Sequence, residues 1–165
     1  IYDGKFLDNK PHGQGILKMP NGGVYEGNFA AGKCNGKGKF TYPNGDVYEG
    51  SFLHDKPHGE GTFISHTGSK YVGNWFEDQP SGKGTYKWFN GSSYEGDFVA
   101  GKKHGFGRFE WKDRSFYEGR WVQDDYEGEG TFCWDDGRCY RGNWKNNMMH
   151  GKGAYCWADG RKYSG

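Results

Sequence analysis

Three of the four cysteines, Cys133, Cys139 and Cys156, fall in the last third of the chain. Thiols gathered in that way can ligate zinc or close a disulfide. Four of the six histidines, His12, His58, His104 and His150, recur at one regular interval, the other residue pattern that suggests a metal. The 31 glycines raise a phosphate-loop reading, but no Gly-x-Gly pair has the strand-to-helix context or the following Lys-Ser/Thr that would cradle phosphate. No Ser or Cys nucleophile has a base at catalytic spacing, so the sequence reads as non-enzymatic.

What must position these residues is a repeat. Tyr-x-Gly occurs at Tyr2, Tyr25, Tyr48, Tyr71, Tyr94, Tyr117, Tyr140 and Tyr163, always 23 residues apart. With the tyrosine as position 1, position 3 is glycine throughout and position 5 is aromatic: Phe6, Phe29, Phe52, Trp75, Phe98, Trp121 and Trp144. Positions 12 and 14 are always glycine, position 16 is Leu17 and then six aromatic residues, and position 18 includes Trp88, Trp111, Trp134 and Trp157. One continuous array is expected over 1–165, with repeats at 2–24, 25–47, 48–70, 71–93, 94–116, 117–139 and 140–162 and a truncated eighth from 163. Because the chain stops inside a repeat, the array is expected to be part of something longer.

Positions 1, 3 and 5 alternate, as do 14, 16 and 18, which is the period of a β-strand. Each repeat therefore reads as a hairpin: strand one over about positions 1–6, a Gly-containing turn over 7–13, strand two over about 14–19. A second turn such as Pro43-Asn44-Gly45 leads onward, and Arg114, which replaces glycine there, predicts a local difference. The fold class is all-β: an elongated, solenoid-like single antiparallel sheet of about seven stacked 23-residue hairpins. Only 33% of residues are hydrophobic and mean hydropathy is −1.06, too polar for a thick conventional core. With strands about 4.8 Å apart, seven such hairpins would stretch to roughly 67 Å.

Aromatic rings and glycines share one face, since glycine leaves room for a ring to lie over the backbone. That face predicts an aromatic trough of Tyr48, Phe52, Tyr71, Trp75, Trp88, Tyr94, Phe98, Trp111, Tyr117 and Trp121. The opposite face carries the polar positions 2, 4, 15 and 17. Cys133 and Cys156 at position 17 and Cys139 at position 23 then lie side by side on three adjacent strands of the polar face, one ligand short of a structural zinc site. A second chain would supply the fourth ligand, making an interfacial zinc the possible cofactor. The histidines, all at position 11, stand about 19 Å apart, too far for a shared ion, and read as turn residues.

The net charge is +1, yet its distribution is uneven. Repeat six is acidic through Glu118, Asp124, Asp125, Glu127, Glu129, Asp135 and Asp136, and repeat seven is basic through Arg141, Lys145, Lys152, Arg161 and Lys162. Such a dipole is self-complementary about a two-fold axis and predicts an antiparallel homodimer. Trp134, Trp144, Tyr155, Trp157, Arg141, Asp135 and Asp136 are the expected interface.

The unit Tyr94-Glu95-Gly96-Asp97-Phe98, Lys103-His104-Gly105-Phe106-Gly107, Phe109 and Trp111 resembles the MORN (membrane occupation and recognition nexus) repeat, in register over the whole chain. The departures are Arg114 for Gly, Val72 and Arg141 for Glu, and Asn35, Ser81 and Glu127 for His. The resemblance implies a binding or assembly role, most like the stand-alone cytoskeletal MORN scaffolds. The expected function is a non-catalytic scaffold that self-associates through its C-terminal repeats and organises cytoskeletal or membrane-associated proteins. The alternatives are an adaptor that captures a peptide or helix in the aromatic trough, and the targeting array of a larger enzyme.

Repeat seven alone has a basic excess, so contact with anionic phospholipid is expected to be weak, at about 1 kcal/mol per cation near the surface. No apolar stretch is long enough to span a bilayer as a helix. Nucleic acid is not an expected partner, because net +1 supplies no basic groove along the phosphates. Four cysteines at non-framework spacing and no recognisable targeting signal fit a cytoplasmic protein, cytoskeleton-associated or at the cytoplasmic face of a membrane.

Overall fold

The computed structural model describes residues 1–165, and they form strands joined by turns, with no helix. In residues 1–81 the strands are β1 (Tyr2–Leu7), β2 (Lys10–Lys18), β3 (Val24–Ala30), β4 (Lys33–Thr41), β5 (Val47–Leu53), β6 (Lys56–Ile64), β7 (Lys70–Phe76) and the start of β8 (Gln79–Lys87). Residues 82–165 hold the rest of β8, then β9 (Ser93–Val99), β10 (Lys102–Glu110), β11 (Phe116–Val122), β12 (Asp125–Cys133), β13 (Cys139–Lys145), β14 (Met148–Cys156) and β15 (Lys162–Ser164). The fifteen strands follow one another in chain order as one open antiparallel sheet.

Chain reversal inside each repeat is tighter than the sequence suggested. Two residues at positions 7 and 8 make the whole turn, and both take positive φ: Asp8 49° and Asn9 58°, Gln123 50° and Asp124 78°, Asn146 49° and Asn147 65°. Two-residue hairpins need this geometry to match strand twist, and Asn, Asp and Gly tolerate it best. The expected turn over positions 7–13 is thus corrected, since β10 already begins at Lys102, position 9. The histidines move with it: His12, His104 and His150 are paired strand residues, opposite Lys5, Asp97 and Asn143, and do not fix the reversal.

The glycine at position 12 marks a bulge. Along β9 and β10 the register passes from Gly96↔Gly107 to Asp97↔His104, so β10 carries two extra residues, with Gly105 at φ 63°. A one-residue slip would exchange the two faces, but an offset of two preserves them. Position 10 is thereby brought onto the aromatic face, opposite position 5, as in Phe98↔Lys103 and Phe29↔Cys34.

In each half the core is a row of tyrosines interleaved with position-5 rings. Tyr25 and Tyr48 are 0% exposed in the first half, and Tyr94 and Tyr117 are 0% exposed in the second. Each tyrosine lies along its own strand over the glycine at position 3 and donates its hydroxyl to the position-4 carbonyl: Tyr25 to Asn28 at 2.9 Å, Tyr94 to Asp97 at 2.9 Å, Tyr117 to Arg120 at 3.0 Å. A Cβ on Gly96 would stand 2.6 Å from the Tyr94 hydroxyl oxygen, so glycine there is required by close approach. Rings at position 5 meet their own tyrosine and the preceding one edge to face: Trp121 lies 5.1 Å from Tyr117 and 5.4 Å from Tyr94. Tryptophan at that position also donates its indole N–H to the preceding position-14 carbonyl, as Trp121 does to Gly107 at 3.0 Å.

Arg114 does not alter its turn. It adopts φ 72°, its N–H reaches the Trp111 carbonyl at 3.0 Å, and Trp111 N–H reaches Ser115 O at 2.9 Å. The glycine-bearing loop at Trp134 closes in the same way, with Trp134 N–H to Arg138 O at 2.8 Å. The surrounding strands hold the loop, and arginine bears a left-handed conformation at a cost of about 1–2 kcal/mol.

Candidate binding surface: an aromatic ladder

The trough expected from sequence divides into a buried part and an accessible part. Tyr48, Phe52, Tyr71, Trp75, Tyr94, Phe98, Tyr117 and Trp121 are all buried, so they form core and offer no surface. Residues at position 10 cover them. Tyr126 stacks on Tyr117 at 3.9 Å and 14° and meets Trp144 at 5.5 Å. Lys103 holds its ammonium over Trp121 at 5.3 Å, Phe109 at 5.7 Å and Tyr94 at 6.0 Å, while Asp124 pairs with it at 2.9 Å. Burial opposes ionisation of Asp124, but hydrogen bonds from the Lys103 side chain and backbone prevail and hold its carboxyl below the usual range. Sequence reasoning missed this position because it was assigned to a turn.

Trp88 and Trp111 are the two trough residues that remain half-exposed, and they belong to a continuous ladder. From Tyr86 the ring centroids run to Trp88 at 4.3 Å, Phe109 at 5.2 Å, Trp111 at 4.6 Å and Phe132 at 5.2 Å. The series continues to Trp134 at 4.7 Å, Tyr155 at 5.7 Å and Trp157 at 4.7 Å. All eight rings are half-buried, and one tryptophan from position 18 stands in each repeat. Each position-18 tryptophan sits just beyond the end of a strand, in the loop to the next repeat. Arginines steady two rungs: Arg138 lies 5.3 Å from Trp134 and Arg161 lies 5.4 Å from Trp157, each also tied to an aspartate, Asp136 at 2.7 Å and Asp159 at 2.8 Å. The arrangement presents flat apolar faces with few fixed polar groups, which suits binding and supplies no reacting group.

Among the expected interface residues, Trp134, Tyr155 and Trp157 lie in the ladder, and Arg141, Asp135 and Asp136 are exposed. Trp144 is 5% exposed and packs against Tyr117 and Tyr140, so it is core rather than interface.

The cysteines are brought together as the repeat predicts, with Cys133 opposite Cys139 and Cys139 opposite Cys156. Cys133 and Cys139 are, however, joined in a disulfide with Cα atoms 4.1 Å apart, and Cys156 is a free thiol. Bonded sulfurs offer no thiolate to a metal, and no group of three His, Cys, Asp or Glu side chains assembles there. The shared-zinc arrangement is therefore not formed in this state, and the bond lies between the two sulfurs themselves. Cys34, placed by sequence in a turn, is instead buried at position 10, and its thiol is pushed up to about 12 by burial and by the neighbouring Asp55.

One dyad was not foreseen: His66 Nδ1 lies 2.9 Å from Asp46 Oδ1, and the His66 backbone N–H reaches the same oxygen at 2.8 Å. These bonds, the backbone one foremost, hold the Asp46 carboxyl below its ordinary range. The adjacent Ser65 hydroxyl is engaged with Thr67 at 2.7 Å and the Ser69 N–H at 3.0 Å, so the dyad clips two loops and has no nucleophile to activate. On the opposite face a groove runs over bare glycines between Glu118 and Glu129 and Arg141 and Lys152, mixing signs without a focus.

Among solved structures the chain is similar to the TCP domain of Drosophila melanogaster SAS-4 (dCPAP) in complex with a proline-rich motif of Ana2 (dSTIL). That match has 16% identity and TM-score 0.54 over 92% of this chain and 83% of that one. The TCP10 domain of Danio rerio CPAP in complex with a STIL peptide matches at 14% identity and TM-score 0.40, over 99% and 83%. At these identities the likeness is one of fold. No curated protein sequence matches significantly. A profile of the MORN repeat matches residues 2–24, 25–47, 48–70, 71–93, 94–116, 117–137 and 140–160, in the phase the tyrosines set. The chain therefore belongs to the MORN repeat family.

Proposed function

We infer that the chain is a non-catalytic protein-binding module that holds an extended segment of a partner protein against the aromatic ladder of its second half. The observation that carries this reading is the unbroken line of eight half-exposed rings from Tyr86 to Trp157, with every other ring of the sheet's aromatic face in that half sealed in the core. Exposed aromatic rows of that size mark contact surfaces in proteins generally. The similarity in fold to a domain captured with a proline-rich motif of its partner is consistent with the same use of the sheet. Selection of peptides from a random display library on the whole chain tests it. Selected peptides are expected to lose at least tenfold in affinity on Trp111→Ala or Trp134→Ala, with the far-ultraviolet circular dichroism unchanged. Selected binders indifferent to both substitutions would overturn the reading.

A second reading, self-association through repeats six and seven, is favoured by the exposed Met148 and Met149 on β14 beside the acidic and basic blocks. On that reading the chain acts as a cytoskeletal or membrane-linked scaffold in the cytoplasm, and the reduced thiols of Cys133, Cys139 and Cys156 are available to an interfacial zinc.

A further inference from the structure

Position 18 supplies one rung per repeat, and each repeat advances by two strands, so Trp88, Trp111, Trp134 and Trp157 follow one another at about 9.6 Å, twice the interstrand spacing. Any linear ligand lying along the ladder must return a side chain to the same face at that interval. An extended strand returns one every ~6.7 Å, and its third residue, near 10 Å, points to the opposite face. An α-helix returns one after seven residues, about 10.5 Å, and drifts by about 3 Å over the three intervals between the first and last rungs. A polyproline II helix has three residues per turn and rises 3.1 Å per residue, returning a side chain every ~9.3 Å and drifting by only about 1 Å over the same span.

We propose that the ladder is built for a polyproline II segment with proline at every third residue, one proline seated against each of the four tryptophans. This rests on the ladder being the binding surface. Proline suits the site because its ring packs flat on indole and its backbone is already ordered, which reduces the entropy lost on binding. Polyproline II has no internal hydrogen bonds, so its carbonyls remain free for solvent or for Arg138 and Arg161 at the ladder's rim. Charge selects the flanking residues. Asp135 and Asp136 follow Trp134 directly, in a repeat with seven acidic and two basic side chains, so the residue beside the proline on that rung is Lys or Arg. The next repeat carries five basic side chains against Asp159, so the residue beside the following proline is acidic or neutral.

Tryptophan fluorescence and calorimetry on the whole chain test this with synthetic ten-residue peptides. The first has proline at its first, fourth, seventh and tenth residues and lysine beside the seventh. The second has the same composition with the four prolines at alternate residues. The spaced peptide is expected to bind at least tenfold tighter than the alternate one, and to lose at least tenfold on Trp111→Ala. Trp111→Leu, which keeps apolar bulk for folding but removes the flat face, is expected to lose affinity as well. Equal binding of the two peptides, both weakened by Trp111→Ala, would overturn the polyproline inference and leave the ladder as the binding surface. No saturable binding of the spaced peptide up to about 1 mM would overturn it outright. Tight binding unaffected by either substitution would overturn both readings.

Discussion

The repeating tyrosine shows why this array uses a phenol where a phenyl ring would fill the same space. Its ring covers the glycine pair and its hydroxyl satisfies a carbonyl in its own strand, so a buried polar atom is never left alone. Burial foremost raises these phenols: Tyr71 and Tyr126 are pushed up to about 12, and Tyr25, Tyr48, Tyr94 and Tyr117 higher still. An unfolded tyrosine ionises near 10. The folded state therefore binds the proton more tightly, its contribution is full below about pH 10, and it is lost as pH rises from 10 through the folded values. Titration followed by tyrosinate absorbance and by circular dichroism should show the core phenols ionising together with unfolding, above about pH 11. Ionisation near pH 10 with the sheet intact would contradict this burial.

At the scale of the element, the hairpin turn and the inter-repeat loop obey different rules. The two-residue turns select Asn, Asp and Gly at positions 7 and 8, yet His54, Glu77, Ala31, Ala100 and Gln123 also sit there at positive φ. The loop at position 21 is held by the same pair of backbone hydrogen bonds whether glycine or Arg114 occupies it. Replacing Arg114 by glycine relieves the left-handed strain and gives back part of it as unfolded-state entropy, so Arg114→Gly is expected to stabilise by about 0.5–1 kcal/mol. A higher urea midpoint with unchanged slope is the readout. The glycine pattern announced this loop, and the assumption that arginine must change its path failed because local preference there is weaker than the two flanking strands.

For the whole molecule, charge and aromatic exposure make competing demands on the second half. The acidic and basic blocks suggest pairing between copies, whereas the ladder suggests a peptide, and burial of Trp144 removes one of the rings the pairing was expected to use. Light-scattering mass is expected to stay at 18.7 kDa across a concentration series. A doubled mass that reverts in about 0.5 M salt, where screening acts within a few ångströms, would favour self-association instead. The same series with and without reductant separates the Cys133–Cys139 disulfide from the thiol form in which metal could act.

The sequence by itself determined the period, the strand pairs, the separation of an aromatic from a polar face and the adjacency of Cys133, Cys139 and Cys156. All of these follow from two-residue alternation and a fixed 23-residue repeat, which are properties of the chain alone. Tertiary structure decided which rings are accessible. Exposure depends on what lies across the sheet, and the two-residue bulge at position 12 swings Lys103 and Tyr126 over the tyrosines while leaving Trp88, Trp111, Trp134 and Trp157 beyond the strand ends. It also decided that Cys133 bonds Cys139, because both neighbours of Cys139 are equivalent in the sequence and differ only in their distance across the strand.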